Sequence, residues 1–402
     1  MKFAHLADCH IGGWREPKLR ELNTLAFCCA IDTCIKEQVD FVIIAGDLFN
    51  TAFPGVDSLA IATRKLRELH DNNIPVYAIP GSHDFSPSGR TMLDVLEEAG
   101  LLTNVSRGVA NEDGSLKLLF TIDKKTGTKI TGVVGKKGGL DSAYYAALDR
   151  ASLEAESGDK IFVFHAALAE LKPADLSLMD AIPVSYLPSG FRYYAGGHVH
   201  ITHSQTLNNR ENIVYPGPTF PNNMTELEKL GKGFFVIVEN WVPRTIAIEQ
   251  KRIVQLACDC TNKTLVQVFE EANKMCETNV NDAIVLFRAI GKVQGRPSDI
   301  QWKEITAKLL SNGAYVVLLS TSGVTSSEFE EVKLPHKRQD ELETLLIQEH
   351  AGKVVLNNKE ADAVLSASLL NVLSLEKEEA ERSFDFEKRL KTGVDRVVGV
   401  DE

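Results

Sequence analysis

Short apolar runs alternate with helical patterns through the first half of the chain, and polar side chains stand at the end of five of these runs or directly after it. The five runs are "KFAHLA", "DFVIIAGD", "IPVYAIPG", "KIFVFH" and "FRYYAGGHVH". Apolar residues at helical spacing fall between the first three, near residues 18–38 and 57–72. Nearly continuous apolar runs are typical of strands buried on both faces. The pattern predicts an α/β fold with a helix-covered sheet, and residues 115–134 predict a hairpin with "DKKTG" as its turn.

The pattern changes near residue 246, where a smaller strand–helix–strand–helix–strand unit begins and continues to about residue 320. The stretch "STSGVTSSEFEE" that follows has the composition of a linker. Beyond it, "QDELETLLIQEH" and residues 357–373 predict two amphipathic helices, the second opened by a capping box of Asn357 and Glu360. We therefore divide the chain into domains 1–245, 246–322 and 323–402. Because nothing local covers the apolar faces of the tail helices, we expect them to dock on a partner protein.

Composition narrows the class of protein. The 402 residues are 44% hydrophobic and 25% charged, as in ordinary soluble globular proteins, and no apolar run reaches the length of about 18 residues that a membrane span needs. The N-terminal "MKFAHLADCH" lacks the apolar core of a signal peptide, and the seven cysteines form no C-x-x-C pair. We expect a cytoplasmic protein with reduced thiols and no membrane contact, associated with the nucleoid if its source is prokaryotic.

The negative charge is unevenly distributed. Of the net charge of −11, residues 326–402 contribute −7, from 11 Lys and Arg against 18 Asp and Glu. If the remainder binds nucleic acid, metal ions or local basic clusters must neutralise the phosphates. The candidate clusters are Arg15 with Lys18 and Arg20, Arg90, and Lys136 with Lys137. For each of them, a solvated surface charge is favoured over a phosphate contact.

The strongest chemical signal is the set of polar residues that follow the predicted strands. The set is Asp8, His10, Asp47, Ser82, His83, His165, His198 and His200. The carboxyl ends of parallel strands meet at one crevice, so we expect these side chains to lie together. Residues two apart, as in Asp8-x-His10 and His198-x-His200, leave an extended backbone from the same face.

The donor types in this set indicate a metal centre. Mixed carboxylate and imidazole ligands suit Mn²⁺, Fe²⁺ or Zn²⁺ better than Mg²⁺ or Ca²⁺, which prefer oxygen. The set is too large for one tetrahedral ion, but it fits two ions that share a carboxylate. Two ions about 3.5–4 Å apart stabilise both the attacking and the leaving oxygen of a phosphoryl displacement. The sequence therefore predicts hydrolysis of a phosphoester.

The order D-x-H, G-D, G-[N]-H-[DE], a single His and G-H-x-H resembles the calcineurin-like metallophosphoesterase superfamily over residues 1 to about 240. Within it, "LADCHIG", "AGDLFN" and "GGLDSAYYAALDR" are most similar to the SbcD/Mre-eleven DNA double-strand-break repair nucleases. The resemblance implies a two-layer β-sandwich core covered by helices, a DNA-capping α/β domain, and a helical tail that binds an SbcC/Rad-fifty-type coiled-coil ATPase. It also implies a homodimeric, Mn²⁺-dependent exonuclease and endonuclease subunit that acts on DNA ends.

The family's roles carry over residue by residue. The residues implied for the first metal ion are Asp8, His10, Asp47 and His200. Those implied for the second ion are Asp47, Ser82, His165 and His198, with Asp47 bridging. His83 is implied to be the catalytic residue beside the scissile phosphate, and Asp84 either orients its imidazole or caps the loop. Candidate substrate contacts are Trp14, Arg15, Asn50 and Arg90.

The chain departs from the family pattern at two of these positions. Ser82 stands where the motif has an asparagine that binds the second metal ion, and Asn50 stands where some members have a phosphate-contacting histidine. One alternative is therefore a DNA-end-binding scaffold with a weakened second metal site and low nuclease activity. Another is a different phosphoesterase of the superfamily, such as a protein phosphatase or a cyclic-nucleotide phosphodiesterase. The phosphatase alternative is disfavoured because "GDLFNTA" lacks the arginine of that branch.

Overall fold

A computed structural model describes residues 1–86, 89–136, 141–173, 176, 179–327, 355–356, 359–360, 368–369, 371–375 and 383–398. The chain forms two compact units, Met1–Glu328 and Phe329–Glu402. All seven cysteines are free thiols, as their spacing predicts. Among the described residues, no helix is both long enough and apolar enough to cross a bilayer.

Two six-stranded sheets form the centre of the first unit. In spatial order, the first sheet contains β14 (Val242–Ile248), β13 (Gly233–Glu239), β1 (Lys2–Leu6), β2 (Phe41–Ala45), β3 (Val76–Ile79) and β4 (Thr103–Asn104). The second contains β11 (Thr202–Leu207), β12 (Arg210–Pro216), β10 (Tyr193–Gly197), β9 (Lys160–His165), β8 (Lys129–Gly132) and β7 (Thr121–Ile122). The strands β1 to β3 are parallel, and so are β9 and β10, so their carboxyl ends lie at one edge of each sheet.

The two sheets pack face to face through alternate residues of their strands. Phe3 of β1 stacks on Phe41 of β2 with ring centroids 4.9 Å apart and meets the edge of Tyr193 of β10 at 5.1 Å. Residues of both sheets fill the layer between them, all nearly inaccessible to solvent. This layer is largely apolar, because the alternate residues that each strand presents to the facing sheet are mostly hydrophobic.

Helices cover the outer faces of both sheets. The first sheet is covered by α1 (Pro17–Lys36), α2 (Val56–Asp71) and α3 (Met92–Glu98). The second is covered by α4 (Asp141–Ala146), α5 (Arg150–Ala155) and the described residues in the segments 166–173 and 179–191. Proline is favoured in the first turn of α1 because its missing N–H would be unbonded there in any case. The predicted helix-covered, two-layer β-sandwich is confirmed.

Two hairpins lie in the part of the chain between β4 of the first sheet and β9 of the second. In the predicted one, β7 pairs with β8 and the Asp123 carboxylate accepts the Thr126 backbone N–H at 2.7 Å, which closes the "DKKTG" turn. The other consists of β5 (Gly108–Ala110) and β6 (Leu116–Leu118). The pattern of hydrophobic residues in this region is alternating rather than continuous, as expected where one face of a hairpin meets solvent.

The remainder of the first unit is a three-stranded parallel sheet with two helices. Its elements are β15 (Ile253–Asp259), α7 (Leu265–Met275), β16 (Ile284–Val293), α8 (Trp302–Ser311) and β17 (Val316–Ser326). The expectation that the last strand ends near residue 320 is wrong. After an irregularity at Arg288, β16 continues to pair with residues 323–326, and Val324 is buried, so half of the predicted linker is strand.

This smaller sheet packs on the helix-covered side of the first sheet. Ile284, Leu286 and Val316 are buried in the same cluster as residues of α1 and β1. The connection between α6 (Met224–Leu230) and this sheet is polar, and it includes an ion pair between Arg288 and Glu228. The two parts therefore share an apolar contact layer and several polar contacts, among them the hydrogen bond from the Lys18 Nζ to the Tyr315 carbonyl at 2.6 Å.

The second unit has a hairpin of β18 (Val355–Leu356) and β19 (Lys359–Glu360), a helical turn at 371–373, and α9 (Ser383–Val398). The expected helix start at Asn357 is wrong, because Lys359 and Glu360 lie in a strand that pairs with Val355 and Leu356. The predicted helix over 339–350 lies outside the described residues. The helix α9 was not predicted, and its Gly393 contacts Val372 so closely that a Cβ would meet the Val372 Cγ1 at 2.6 Å.

We expect His5 to make the fold acid-sensitive. Its imidazole lies between the sheets, with Nδ1 2.9 Å from the Tyr193 hydroxyl, and burial lowers its pKa to about 3. In the unfolded chain the pKa returns to about 6.5. Between these values only the unfolded chain is protonated, so the free energy of unfolding falls as pH decreases, by up to about 1.4 kcal/mol per pH unit. Urea unfolding at pH 7, 6 and 5 measures this slope.

The variant His5→Gln should have a flatter dependence of unfolding free energy on pH, because glutamine does not titrate. The matched control is His70→Gln, which replaces an exposed histidine at the end of α2 and should leave the slope unchanged. Equal slopes for the parent and His5→Gln would refute this role of His5.

Candidate metal centre

The carboxyl ends of strands from both sheets meet at one cavity. The strands β1, β2 and β3 arrive from the first sheet, and β9 and β10 from the second. The cavity has a volume of about 680 Å³, and its polar lining includes Asp47, Ser82, His83, His198, His200 and Glu226. Asp8, His10 and His165 lie beneath it, each at most 1% exposed. All eight polar residues predicted from the strand ends are therefore brought to one place.

Five of these residues have left-handed backbone conformations. Their φ angles are 52° for Asp8, 44° for His10, 50° for Asp47, 95° for His198 and 54° for His200. The expectation that paired ligands leave an extended backbone is therefore wrong: tight turns after the strands make the side chains converge. Such conformations cost about 1–3 kcal/mol each and cluster at functional sites.

The strained turns are held by backbone hydrogen bonds and by glycine. The N–H of Asp8 donates to the Gly46 carbonyl at 3.2 Å, and the N–H of His10 donates to the Asp47 carbonyl at 3.0 Å. A Cβ on Gly46 would lie 2.2 Å from the His165 Nδ1, and one on Gly81 would lie 2.3 Å from the Asp47 Oδ1. Glycine is required at these two positions because the strand ends approach so closely.

Asp47 lies at the centre of the donor set. Its Oδ1 accepts the His83 backbone N–H at 2.7 Å, and its Oδ2 is 3.2 Å from the His165 Nε2 and 3.7 Å from the His10 Nε2. Burial disfavours its charged form, but the surrounding histidines outweigh burial and hold the pKa of Asp47 well below the ordinary value. A buried, ionised carboxylate that faces several imidazoles belongs to a donor set that suits a divalent cation.

The second carboxylate, Asp8, is anchored by backbone. Its two oxygens accept the His198 N–H at 2.9 and 3.1 Å, so β1 is tied to the loop that follows β10. Burial raises the pKa of Asp8 above its ordinary value, against the lowering effect of His200 and His165. Two buried carboxylates close together are stable in a folded protein only with compensating cations or protons.

The buried histidines differ in their hydrogen bonds and in the direction of their pKa shifts. The His165 Nδ1–H donates to the Ala45 carbonyl at 2.8 Å, which leaves Nε2 for the site. Burial lowers the pKa of His165, but Asp47 opposes it and the result is about 10. Burial lowers the pKa of His10 to about 3 and that of His198 to about 3. A neutral imidazole with one nitrogen anchored is the form in which histidine binds metal ions.

His200 is oriented by Glu226, a residue that the sequence analysis did not select. The His200 Nδ1 lies 3.0 Å from the Glu226 Oε1. Burial lowers the pKa of His200, but Asp8 and Glu226 raise it to about 9. The carboxylate comes from α6, where Glu226 is the third residue after the N-cap Asn223. That Asn-x-x-Glu spacing was the available sequence signal, but it predicts a helix start and not a contact with His200.

The chemistry of the donor set fits metal ions. Three groups of donor atoms each lie within 4.8 Å of one another: Asp8, His10 and His200; His10, Asp47 and His83; and Asp8, Asp47 and His165. The His10 Nδ1 is buried without a hydrogen-bond partner, the His165 Nε2 lies 3.2 Å from the Asp47 Oδ2, and the His10 Nε2 and His200 Nε2 face each other at 3.0 Å. Opposed imidazole nitrogens between carboxylates are arranged for cations.

In the turn that follows β3, the side chains of Ser82, His83 and Asp84 make different contacts. Asp84 caps the loop, since its carboxylate accepts the backbone N–H groups of Leu48, Phe49 and Gly81 at 3.0–3.1 Å. The orienting partner of His83 is instead the Asn50 carbonyl, 2.8 Å from the His83 Nδ1. Ser82 is buried, and its hydroxyl lies 3.4 Å from the Asp47 Oδ2.

The candidate substrate contacts lie in different environments. The indole N–H of Trp14 donates to the Pro221 carbonyl at 2.9 Å, and its ring packs on the first hydrophobic cluster. Arg15 and Arg90 are exposed. The side-chain oxygen of Asn50 accepts from the Asn222 side chain at 3.4 Å.

A second residue that sequence reasoning missed is Asn23 of α1. Its side chain is buried, donates to the Cys9 carbonyl at 2.8 Å, and accepts the Gly12 N–H at 3.3 Å. It therefore holds the loop that carries Asp8 and His10 against the helix. The local sequence offers no signal, because an asparagine in a helix is ordinarily a surface residue.

The family model for the calcineurin-like phosphoesterase matches residues 1–202. The chain is also similar to proteins named "DNA double-strand break repair protein Mre11". The one from Archaeoglobus fulgidus is 24% identical over 394 residues, with 90% of this chain and 87% of the relative covered. The one from Sulfurisphaera tokodaii is 26% identical over 379 residues, covering 91% and 92%. The one from Saccharolobus solfataricus is 28% identical over 247 residues, covering 59% and 60%.

The matched residues include the first part of the sandwich and every candidate ligand at the strand ends. Since such a domain is combined with clustered carboxylates and imidazoles, the protein is a metal-dependent phosphodiesterase. The chain belongs to the calcineurin-like phosphoesterase family.

Proposed function

We propose that the chain is the nuclease subunit of a DNA double-strand-break repair complex, a Mn²⁺-dependent exonuclease and endonuclease that hydrolyses phosphodiesters at DNA ends. The observation that carries this proposal is the sharing of Asp8, Asp47 and His10 among three donor groups at one cavity. Shared donors support two neighbouring ions better than one. The DNA substrate is supported by the printed names of the relatives, two of which are matched over most of their length.

The residues proposed for the first ion are Asp8, His10, Asp47 and His200, and those proposed for the second are Asp47, Ser82, His165 and His198. When bound, such ions polarise a phosphoryl oxygen and lower the pKa of water to near neutrality. Mixed carboxylate and imidazole donors suit Mn²⁺, Fe²⁺ or Zn²⁺, and Mn²⁺ is proposed among them because the resemblance to the repair nucleases implies it. His198 lies outside the three close groups, although its ring centroid is 5.1 Å from that of His165.

His83 is the proposed catalytic residue. With its Nδ1–H held by the Asn50 carbonyl, its Nε2 is available to a substrate in the cavity, whose lining includes this ring. A protonated Nε2 would donate to the leaving oxygen or to a phosphoryl oxygen as negative charge develops. The residues proposed to contact the DNA backbone are Arg15, Arg90, Asn50 and Trp14. Trp14 is also proposed to fix the loop that carries Arg15.

The function is tested with duplex DNA labelled at the 5′ or the 3′ end, incubated with the purified protein and Mn²⁺. A phosphopeptide and a cyclic nucleotide are tested in parallel. Release of nucleotides or shortened strands from DNA, abolished by a chelator and restored by Mn²⁺, supports the proposal. Hydrolysis of the phosphopeptide or the cyclic nucleotide without any cleavage of DNA would refute it.

Ser82→Asn is expected to strengthen Mn²⁺ binding at the second site, on the order of tenfold. The serine hydroxyl is a neutral donor on a short arm, and an asparagine carbonyl extends further toward the position between Asp47 and His165. Calorimetric titration with Mn²⁺ gives the two affinities separately. Ser82→Ala is the matched control, and it should bind the second ion no more tightly than the parent.

The same pair of variants distinguishes the nuclease from a DNA-end-binding scaffold. If the parent binds DNA ends without cleaving them and Ser82→Asn cleaves them, the protein is a scaffold with a weakened second site. Cleavage by the parent, raised or unchanged in Ser82→Asn, supports the nuclease.

We further propose that residues 246–322 cap bound DNA, that residues 323–402 bind a coiled-coil ATPase, and that two copies associate through helices of the first domain. In support, α2 and α3 expose Val56 and Val95, which are 81% and 54% accessible. The tail helix α9 exposes Phe384, 74% accessible. Light scattering of the purified chain measures the association of two copies.

Deletion of residues 326–402 is expected to abolish association with the ATPase while leaving cleavage of DNA by the isolated subunit unchanged. The deleted residues form a separate compact unit apart from the end of β17, and every proposed ligand lies outside them. Co-purification of the two tagged subunits measures association. Retention of the ATPase by the truncated chain would refute the assignment of the tail.

A further inference from the structure

The short helix α6 contacts the metal centre on one side and the smaller parallel sheet on the other. Glu226 lies 3.0 Å from the His200 Nδ1, and Glu228 forms an ion pair with Arg288 of β16. Successive helical residues are rotated by about 100°, so side chains two apart leave α6 on nearly opposite sides. Leu227, between them, is fully buried in the core of the first sheet. One helix thus carries three contacts in three directions.

Both ends of α6 are capped by hydrogen bonds, so the helix is defined from end to end. The Asn223 side chain accepts the Glu226 N–H at 2.9 Å at the N-terminus. At the C-terminus, Gly231 adopts a left-handed conformation with φ of 70° and its N–H donates to the Leu227 carbonyl. Caps of this kind at both ends satisfy backbone groups that would otherwise allow the helix to fray.

The smaller sheet holds α6 by side chain and by backbone. The Arg288 Nε donates to the Glu228 Oε1 at 2.8 Å, and its Nη2 donates to the Oε2 at 2.7 Å. The Gln255 Nε2 of β15 donates to the Glu228 backbone carbonyl at 2.9 Å. Bidentate pairing fixes direction as well as distance. A displacement of β15 and β16 relative to the sandwich would therefore displace Glu228.

We propose that α6 couples the position of the smaller sheet to the geometry of His200, with Glu226 as the positioning residue. The inference rests on the proposed metal-binding role of His200. When the sheet holds Glu228, α6 places Glu226 where it accepts the His200 Nδ1–H, and the His200 Nε2 is directed toward Asp8 and His10. When the Arg288 contact is lost, His200 is held less well and metal affinity falls. DNA bound against the smaller sheet would act on the metal centre by this route.

The test is a double-mutant cycle on Mn²⁺ binding, measured by calorimetry on the full chain. The variants are Glu226→Gln, Arg288→Met and the two combined. Glu226→Gln should weaken Mn²⁺ binding about tenfold or more, as loss of a carboxylate that orients a ligand does. Arg288→Met should weaken it about threefold or more. In the double variant, the effect of Arg288→Met should be absent, because it acts through Glu226.

A matched control keeps the inference falsifiable. Lys263→Met removes the Lys263–Glu271 ion pair, which lies wholly within the smaller α/β part, and should leave Mn²⁺ affinity unchanged. Thermal unfolding of every variant without metal shows whether each is folded. The visible absorption of bound Co²⁺ reports ligand geometry directly, and it should change in both single variants but not in Lys263→Met.

Three outcomes would overturn the coupling: unchanged Mn²⁺ affinity in Arg288→Met, an Arg288→Met effect that persists in full beside Glu226→Gln, or an equal loss in Lys263→Met. These results are distinct from failure of the proposed function. If the parent chain binds no Mn²⁺ and cleaves no DNA, the proposed metal site itself is refuted. If the parent binds Mn²⁺ and cleaves DNA, and Arg288→Met binds Mn²⁺ with the same affinity as the parent, only the coupling is refuted.

Discussion

Replacing His83 by alanine is expected to reduce the rate of DNA cleavage by about 10²–10⁴-fold while Mn²⁺ still binds. The imidazole is held by the Asn50 carbonyl and lines the cavity, and its backbone N–H, which donates to Asp47, remains in the variant. The substitution therefore removes the imidazole that is proposed to act on the substrate and keeps the backbone contact to the Asp47 carboxylate. Single-turnover cleavage gives the rate, and calorimetry gives the Mn²⁺ affinity.

The control for His83→Ala is His203→Ala, which replaces a histidine of β11 whose ring contacts Gln205 outside the cavity lining. It should cleave at the parental rate. If Mn²⁺ affinity falls together with cleavage in His83→Ala, then His83 is a metal ligand, as the closeness of its ring to Asp47 and His10 permits. Unchanged cleavage would remove it from the mechanism altogether.

Asp47→Asn is expected to have the larger effect, loss of detectable cleavage and weakening of both Mn²⁺ sites by more than about 100-fold. Even residues that only orient a ligand cost about 10–100-fold in metal affinity when replaced. Asparagine keeps the size of the side chain and tolerates the left-handed backbone, φ 50° at this position, so charge is the main property lost. Calorimetric stoichiometry and single-turnover cleavage measure the two effects.

The matched control is Asp123→Asn, another buried carboxylate, which accepts from the Tyr77 hydroxyl and from Thr126 away from the cavity. It should retain both Mn²⁺ sites, and any loss of stability it causes calibrates the cost of removing a buried charge. Two tightly bound Mn²⁺ ions in Asp47→Asn would contradict the role of Asp47 as the shared ligand.

The parts of the fold that could be predicted are those specified by local pattern. Helix α1 and strands β1, β2, β3, β9 and β10 follow from periodicity and turn residues within a few positions of each element. The extent of β17 could not be predicted, because the Ser- and Thr-rich residues 320–326 are strand only through pairing with β16. The helix α9 was missed although Phe386, Leu390, Val394 and Val397 recur at helical spacing, so the local signal was present in the sequence.

Long-range contacts decided the roles left open by the sequence. Whether Asp84 orients His83 or caps its loop depended on where Leu48 and Phe49 lie, and these are 35 or more residues away in sequence. Glu226 was invisible for the same reason: its contact with His200 is 26 residues away and crosses from a strand end to a helix. Neither contact has a local sequence signature.

The sequence by itself determined which residue types follow each buried strand, and therefore the class of metal and of reaction. Apolar runs that are followed by Asp or His can be recognised from the local sequence. The metal preference of a carboxylate or an imidazole does not depend on which other residues later face it. Only the tertiary structure decided which donors face one another, because two sheets must close face to face before His10 and His200, 190 residues apart, come within 3.0 Å. The left-handed turns that orient the ligands also depend on the packing of the sheets, because the local sequence alone does not compensate for their conformational free energy.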